Sequence, residues 1–229
     1  MLAGQDVDIV VPILNEVACV DELIDRLLRA CPGAELIFVD NGSTDGTLDR
    51  LAARGVRTIR HAQNEGYGKS LSDGIAAGTR RAIVTIDADL EYPPESAAGL
   101  VEALDKHAIV YGSRFLVPSN TMSWPRRAGN RLLTAAFNIV CGQSLTDLYT
   151  GIKAFRRETV TGYRFQESGF CFVVEFAVRG SRFGRIAELP AAYHPRASGR
   201  SKMQHYAEGF RALAALARYR WKDIRGAAS

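Results

Sequence analysis

The feature that most constrains how this chain can fold is a pattern that recurs four times before residue 90. A short apolar run stops on a cluster of polar residues, and a helical stretch follows before the next run. The runs are Val7 to Val11, ending at Pro12, then Leu36 to Val39, Val56 to Ile59 and Ile83 to Ile86. Continuous apolar runs this short suit strands buried on both faces. Between the first two, Val20, Leu23, Ile24, Leu27, Leu28 and Cys31 recur at helical spacing, and Thr44 to Ala53 and Ser70 to Ala77 read as further helices. Strands alternating with helices require crossover connections, so the chain is expected to be α/β, with a mostly parallel sheet covered by helices on both faces.

Ligands of such sheets bind beyond the carboxyl ends of the strands. The residues just past each run are Asn15-Glu16, Asp40-Asn41-Gly42-Ser43, Asn64-Glu65-Gly66 and Asp87-Ala88-Asp89. All four clusters are therefore expected on one edge.

Asp87 and Asp89 bring two carboxylates together at a strand end. Hard divalent ions take oxygen ligands, and magnesium usually combines one or two carboxylates with substrate phosphates. Two crowded like charges are costly without a cation. An isolated Asp-x-Asp is equally a solvated turn, with Asp89 or Glu91 capping the helix after Pro93-Pro94; the buried strand before it favours the metal. Asp40 to Thr47 leads into a helix, so Ser43, Thr44 or Asp45 serves as a cap, while a carboxylate at Asp40 can also accept from ribose hydroxyls or a base. Gly66-Tyr67-Gly68-Lys69-Ser70 fails the Walker pattern because Gln63 stands where its first glycine belongs, and fails the Rossmann fingerprint at Leu71. A glycine-lined turn that admits a nucleotide, or an ordinary tight turn, remains.

Past Tyr111 the pattern loosens, with a helix expected over Ala128 to Val140, a strand near Thr150 to Phe155 and a helix around Phe172 to Val178. Cations concentrate here: Arg114, Arg126, Arg127, Arg131, Lys153, Arg196, Arg200 and Lys202. The segment Tyr193 to Lys202 is small and basic, which suits a loop that closes on phosphate. The last stretch carries Met203, Tyr206, Phe210, Leu213, Ala217 and Ile224 at mostly helical spacing among five basic residues. It reads as a core-packing helix or as a basic amphipathic helix resting on an anionic membrane.

Composition adds limits. The chain is 47% hydrophobic and 24% charged, which is globular. Its net charge of +4 favours an anionic partner without choosing among nucleotide, lipid phosphate and nucleic acid. Four scattered cysteines without metal-ligand spacing point to a reducing, cytoplasmic setting without disulfides. Neither a secretion signal nor an apolar run approaching the ~18 residues of a membrane span is evident, so the protein is expected to be soluble or peripheral on the cytoplasmic face of a membrane.

Taken in order, Pro12-Ile13-Leu14-Asn15-Glu16, Asp40 to Thr47, and Asp87-Ala88-Asp89-Leu90-Glu91-Tyr92-Pro93-Pro94-Glu95 resemble the nucleotide-sugar half of family 2 glycosyltransferases. Gly112-Ser113-Arg114-Phe115, Asn130-Arg131, Thr146 to Phe155 and Arg196 to Lys202 resemble, more narrowly, dolichol-phosphate mannose synthases and related polyprenyl-phosphate glycosyltransferases. The resemblance spans roughly Asp8 to Met203 and implies a GT-A, Rossmann-like domain over residues 1–203. Its nucleotide-sugar half would cover about 7–111 and its acceptor half about 112–203, with a basic amphipathic helix over 204–229.

It further implies that Pro12, Asn15, Glu16 and Asp40, with Gly66 and Lys69 beside them, hold the nucleotide. Asp87 and Asp89 would lie at the diphosphate and a Mg2+ or Mn2+ ion, with Asp89 the principal ligand and Glu91 a further one. Arg114, Arg131, Arg196, Arg200 and Lys202 would grip the phosphates of acceptor and donor, near Asp147 and Glu175. Asn41 departs from a common second aspartate. No transmembrane hairpin follows the catalytic region, so membrane contact is expected from the C-terminal helix, a membrane-anchoring partner or a dimer.

The expected reaction moves a hexose, mannose or glucose, from a GDP- or UDP-sugar to a polyprenyl or dolichyl phosphate, inverting the anomeric carbon. One rival is a family 2 transferase whose acceptor is a sugar hydroxyl, which needs a base and has Asp147 as nearest candidate. Another is a non-catalytic nucleotide-binding protein. Nucleic acid is not expected, because a polynucleotide binder gains nothing from carboxylates in its groove.

Overall fold

Val7, Ile9, Val10 and Val11 are each fully enclosed, as a strand at the centre of a sheet covered on both sides buries consecutive residues. Their side chains alternate: Val7, Ile9, Val11 and Ile13 enter one apolar cluster, while Val10 enters a second on the opposite face. A fully buried side chain of this size is worth about 1.5–3 kcal/mol.

The computed structural model describes residues 2–118, 122–194 and 205–226. In chain order the elements are β1 (Val7–Ile13), α1 (Val20–Ala30), β2 (Glu35–Asp40), α2 (Thr47–Ala53), β3 (Arg57–Arg60), α3 (Tyr67–Ala77), β4 (Ala82–Ile86), α4 (Ser96–Ala103), β5 (Ile109–Ser113), α5 (Trp124–Cys141), β6 (Ile152–Arg156), α6 (Phe172–Gly180), β7 (Ala187–Pro190) and α7 (His205–Gly226). The strands form one sheet in the order β3-β2-β1-β4-β6-β5-β7. All neighbours run parallel except β6, which lies antiparallel between β4 and β5.

Helices cover both faces, as the alternation predicts. Residues of α1 and α4 join the first cluster; residues of α3, α5, α6 and α7 join the second. Two strands escape the sequence pattern. Ile109 to Tyr111 is too short a run to stand out, and β7 is a partly exposed edge strand whose Pro190 is tolerated there.

Helix starts shift for local reasons. α2 begins at Thr47 rather than Thr44, because the amide of Thr44 donates to Asn15 Oδ1 at 2.7 Å and that of Thr47 donates to Asp45 Oδ1 at 3.0 Å. α3 begins at Tyr67 rather than Ser70, where Gly66 takes φ +105° and turns the chain into the helix.

Among the described residues, no helix is long and apolar enough to cross a membrane. Arg196, Arg200, Lys202 and Met203 lie outside the described residues.

Candidate functional site

The loops after β1 and β2 are stapled to each other. Asn15 adopts φ +54°; its amide donates to Ser43 Oγ at 2.9 Å while its Oδ1 accepts from the amide of Thr44. The Glu16 amide donates to Thr47 Oγ1 at 3.1 Å, and the Val17 amide to Asp45 Oδ2 at 3.1 Å. Pro12 sits beside Val39 in register. Asp40 is buried at the end of β2 and, among the described residues, accepts long bonds from the Ser43 amide at 3.3 and 3.4 Å. Pro12, Asn15, Glu16 and Asp40 are thus gathered on the carboxyl edge.

Asn41 binds the next loop. Its Oδ1 accepts from the Glu65 amide at 2.9 Å and lies 3.0 Å from His61 Nδ1, while its Nδ2 donates to Asn64 Oδ1 at 2.9 Å. A carboxylate at this position would lose that donor, so asparagine serves the scaffold. Lys69 pairs with Asp73 at 2.5 Å, and Asp73 also faces His61 at 2.9 Å.

The glycines at the start of α3 have a use that spacing did not suggest. A Cβ at Gly66 would overlap the Ser168 carbonyl, and one at Gly68 would overlap the Glu167 carbonyl and Phe172. The close approach is made by the chain's own 167–169 backbone. The Lys69 amide, donating to Ser168 O at 3.0 Å, fastens the two segments.

Past β4, Asp89 is 5% exposed and accepts from the Glu91 amide at 3.1 Å, with Leu90 between at φ +59°. Asp87 is partly accessible and accepts from the Tyr67 hydroxyl at 2.9 Å. Desolvation by the surrounding protein, and then the charge of Asp89, push the Asp87 carboxyl up to about 7; Lys153 and Tyr67 pull the other way. Lys153 is buried beneath on β6, donates to the Thr150 carbonyl, and is lowered to about 8 by desolvation against the pull of Asp87. This donor set, two hard carboxylates that crowd each other at a strand end, fits a divalent cation.

Among the described residues, no three His, Cys, Asp or Glu side chains group closely enough to hold a metal by themselves. Glu91 is close enough to act on Asp87 electrostatically, and its carboxylate accepts from the Tyr193 hydroxyl. An ion here needs oxygens from a bound substrate.

Of the residues expected near the acceptor, Arg114 and Asp147 are engaged with each other. Arg114 is 8% exposed and grips fully buried Asp147 with two bonds of 2.6 and 2.7 Å, and it also donates to Tyr149 O at 2.9 Å. Asn130 of α5 donates to the same carboxylate at 2.6 Å. The rings of Tyr92 and Tyr193 lie 5.8 and 5.3 Å from the guanidinium. Arg131 is exposed on α5, its guanidinium 5.3 Å from the Phe115 ring. Glu175 of α6 belongs to a different network, accepting from the amides of Gln166 and Glu167 at 2.9 Å each and from the Tyr163 hydroxyl at 3.1 Å.

Tyr67, Tyr193 and Lys153 are the site neighbours that motif reading left without a role. Lys153 carried a usable signal: a lysine in the second position of a buried strand, between Ile152 and Ala154, must find a partner on its face.

Residues 8–162 match the sequence family described as Glycosyl transferase family 2. An undecaprenyl-phosphate mannosyltransferase of Micrococcus luteus is 28% identical, covering 94% of this chain and 96% of that one. A dolichyl-phosphate hexose transferase of Haloferax volcanii is 30% identical, covering 89% of each. Among solved structures, glucosyl-3-phosphoglycerate synthase from Mycobacterium tuberculosis in complex with UDP superposes with a TM-score of 0.75 at 23% identity, covering 95% of this chain and 80% of that one. The same enzyme has been crystallised with Mn2+, UDP-glucose and phosphoglyceric acid.

Proposed function

Because the chain belongs to glycosyl transferase family 2 and has its GT-A fold, we propose that it transfers a hexose from a GDP- or UDP-sugar to a polyprenyl phosphate, with inversion and with Mg2+ or Mn2+. The observation that carries this reading is the Asp87 and Asp89 pair, crowded at the carboxyl end of β4 where a nucleotide diphosphate completes the ligand set. GDP-mannose and UDP-glucose are the leading donors. Residues 1–203 form the catalytic unit in this reading, with the nucleotide held over Pro12, Asn15, Glu16, Asp40, Gly66 and Lys69.

The acceptor phosphate has a second pKa near ~6 and is already an anionic nucleophile at neutral pH. One of its oxygens bonds to the anomeric carbon as the bond from that carbon to the diphosphate oxygen breaks, and the electron pair leaves with the nucleoside diphosphate. A divalent ion, when bound, neutralises that leaving group. Asp87 and Asp89 orient it, and Asn15, Asp40 and the stapled loops fix the nucleoside, so that the two reacting groups meet in line. A base is not needed. Asp147, the base in the sugar-hydroxyl reading, has its oxygens taken by Arg114 and Asn130, which supports a phosphate acceptor over a hydroxyl.

A lipid acceptor is supported by α7 and α5. The stripe at Phe210, Leu213, Ala217 and Trp221 faces outward, with Phe210 80% and Trp221 59% exposed, whereas Ala212, Ala215, Leu216 and Tyr219 pack inward. Arg211, Arg218, Arg220 and Lys222 flank the outward stripe. Helix α5, in the same layer, also turns Trp124, Leu132 and Ile139 outward, and the two helices pack on each other. Outward apolar stripes edged by cations suit an anionic lipid surface. Arg131 lies on this side, and Arg196, Arg200 and Lys202 precede α7, so all four are assigned to phosphate capture.

The test is incubation of purified protein with Mn2+ or Mg2+, short polyprenyl phosphate and a panel of GDP- and UDP-sugars, following radiolabel into the organic phase. Labelling that requires both metal and Asp89, and is lost in Asp89→Ala, is expected from one donor. Label moving only to soluble acceptors overturns the lipid.

A further inference from the structure

The Asp87 carboxylate is held from two sides. Its Oδ1 accepts from the Tyr67 hydroxyl at 2.9 Å, and its Oδ2 faces Gly151 so closely that a Cβ there would overlap it. Tyr67 is the first residue of α3, and its own placement is fixed at several points. Its ring stacks on Phe170 at 5.2 Å with an interplanar angle of 16°. The glycines on either side, Gly66 and Gly68, lie against the backbone of 167–169, and the Lys69 amide donates to Ser168.

The segment that carries Phe170 is itself braced. Glu175 accepts from the amides of Gln166 and Glu167. From α7, Arg218 and Tyr219 both reach Glu167, the latter at 2.8 Å, and Lys222 donates to Gln166 Oε1 at 2.9 Å. An unbroken set of contacts therefore runs from the C-terminal helix through Phe170 and Tyr67 to the carboxylate.

We infer that Tyr67 is a positioning residue for Asp87: its hydroxyl, with its ring stacked on Phe170, fixes the rotamer in which the carboxylate stands at the cation site. The inference rests on the reading of Asp87 and Asp89 as the cation site. Partners of this kind that orient a ligating side chain typically change metal affinity or activity by about 10–100-fold when removed. Phenylalanine at 67 keeps the ring and its stacking and deletes only the hydroxyl, so the fold is preserved and the effect isolates one hydrogen bond.

The experiment titrates Mn2+ into the full chain by calorimetry in the presence of GDP or UDP, comparing wild type, Tyr67→Phe and Asp89→Ala, and then measures kcat and KM with the donor that labels lipid. Asp89→Ala is expected to lose Mn2+ binding. Tyr67→Phe is expected to weaken it by about tenfold, to lower kcat, and to leave the KM for polyprenyl phosphate and the melting temperature unchanged. If Asp89→Ala loses Mn2+ and Tyr67→Phe binds it as wild type does, the positioning role falls while the cation site stands. If Asp89→Ala keeps wild-type Mn2+ affinity, the cation site is wrong and the inference falls with it. A drop in melting temperature for Tyr67→Phe with unchanged Mn2+ affinity reduces Tyr67 to packing and also overturns it.

Discussion

Asp8, near the amino end of β1, and Asp89, past the carboxyl end of the adjacent β4, are both almost wholly enclosed, at 1% and 5% exposure. Asp8 accepts from Arg157 at 2.7 Å and from the amide of Arg80 at 2.9 Å, while a second arginine contact comes from Arg80 at 3.8 Å. At the other end, the carboxylate next to Asp89 is Asp87, and a lysine beneath Asp87 has its own pKa lowered by desolvation. One end of the sheet has its charges closed by the protein, and the other sets two carboxylates side by side on the edge where ligands of such sheets bind. An enclosed acid with a complete set of partners is scaffold. A pair of acids crowded side by side at that edge suits a divalent ligand.

Substitutions separate the two classes. The largest effect is expected at an acid of the closed kind: Asp147→Ala leaves Arg114 buried without its partner and should cost about 3–5 kcal/mol in urea unfolding, with no recovery on adding Mn2+. Asp89→Asn should do the opposite, raising the melting temperature of the metal-free protein by relieving like-charge crowding while Mn2+ affinity falls at least about tenfold, or ~1.4 kcal/mol. Equal destabilisation by both would erase the contrast.

The pH dependence comes next. A ligating carboxylate must lose its proton to bind metal, and burial and the charge of Asp89 push the Asp87 carboxyl up to about 7. Below that value the proton competes with the ion, so apparent Mn2+ affinity should fall by up to about tenfold per pH unit between pH 7 and 5 and level off above pH 8. A flat profile in calorimetry would place Asp87 outside the ligand set. The smallest effect belongs to the surface. Glu95 bridges to Arg26 with bonds of 2.7 and 2.8 Å but is largely solvated, and Glu95→Gln should shift stability by less than about 1 kcal/mol in thermal melts.

How much of this was legible follows the same division. β1 to β4 are buried on both faces or end on polar clusters, so local pattern alone located them and the edge they share. Past Ser113 the sequence located α5, β6 and α6, but how they pair and pack is set by tertiary contact. β6 resembles any short strand, and only its pairing with β4 and β5 makes it antiparallel. Arg114 is indistinguishable in sequence from a surface arginine, and its bond to Asp147 spans 33 residues. The C-terminal helix is a different case. Spacing found the stripe at Phe210, Leu213 and Ala217 but not which way it faced; Ala212, Ala215, Leu216 and Tyr219 form the inward face, where the two alanines let α7 approach its neighbours closely.

The placement of β6 has a consequence for how such a chain can change over evolutionary time. Everything from Arg114 to Gly151 leaves the sheet at the end of β5 and re-enters it on the neighbouring β6, as an elaborate hairpin connection does. A cassette inserted in this way can be lengthened, shortened or exchanged without altering the order of the strands beside it. One condition travels with every exchange. The cassette ends on Gly151, pressed against Asp87, and whatever replaces it must return to the sheet through a residue with no side chain.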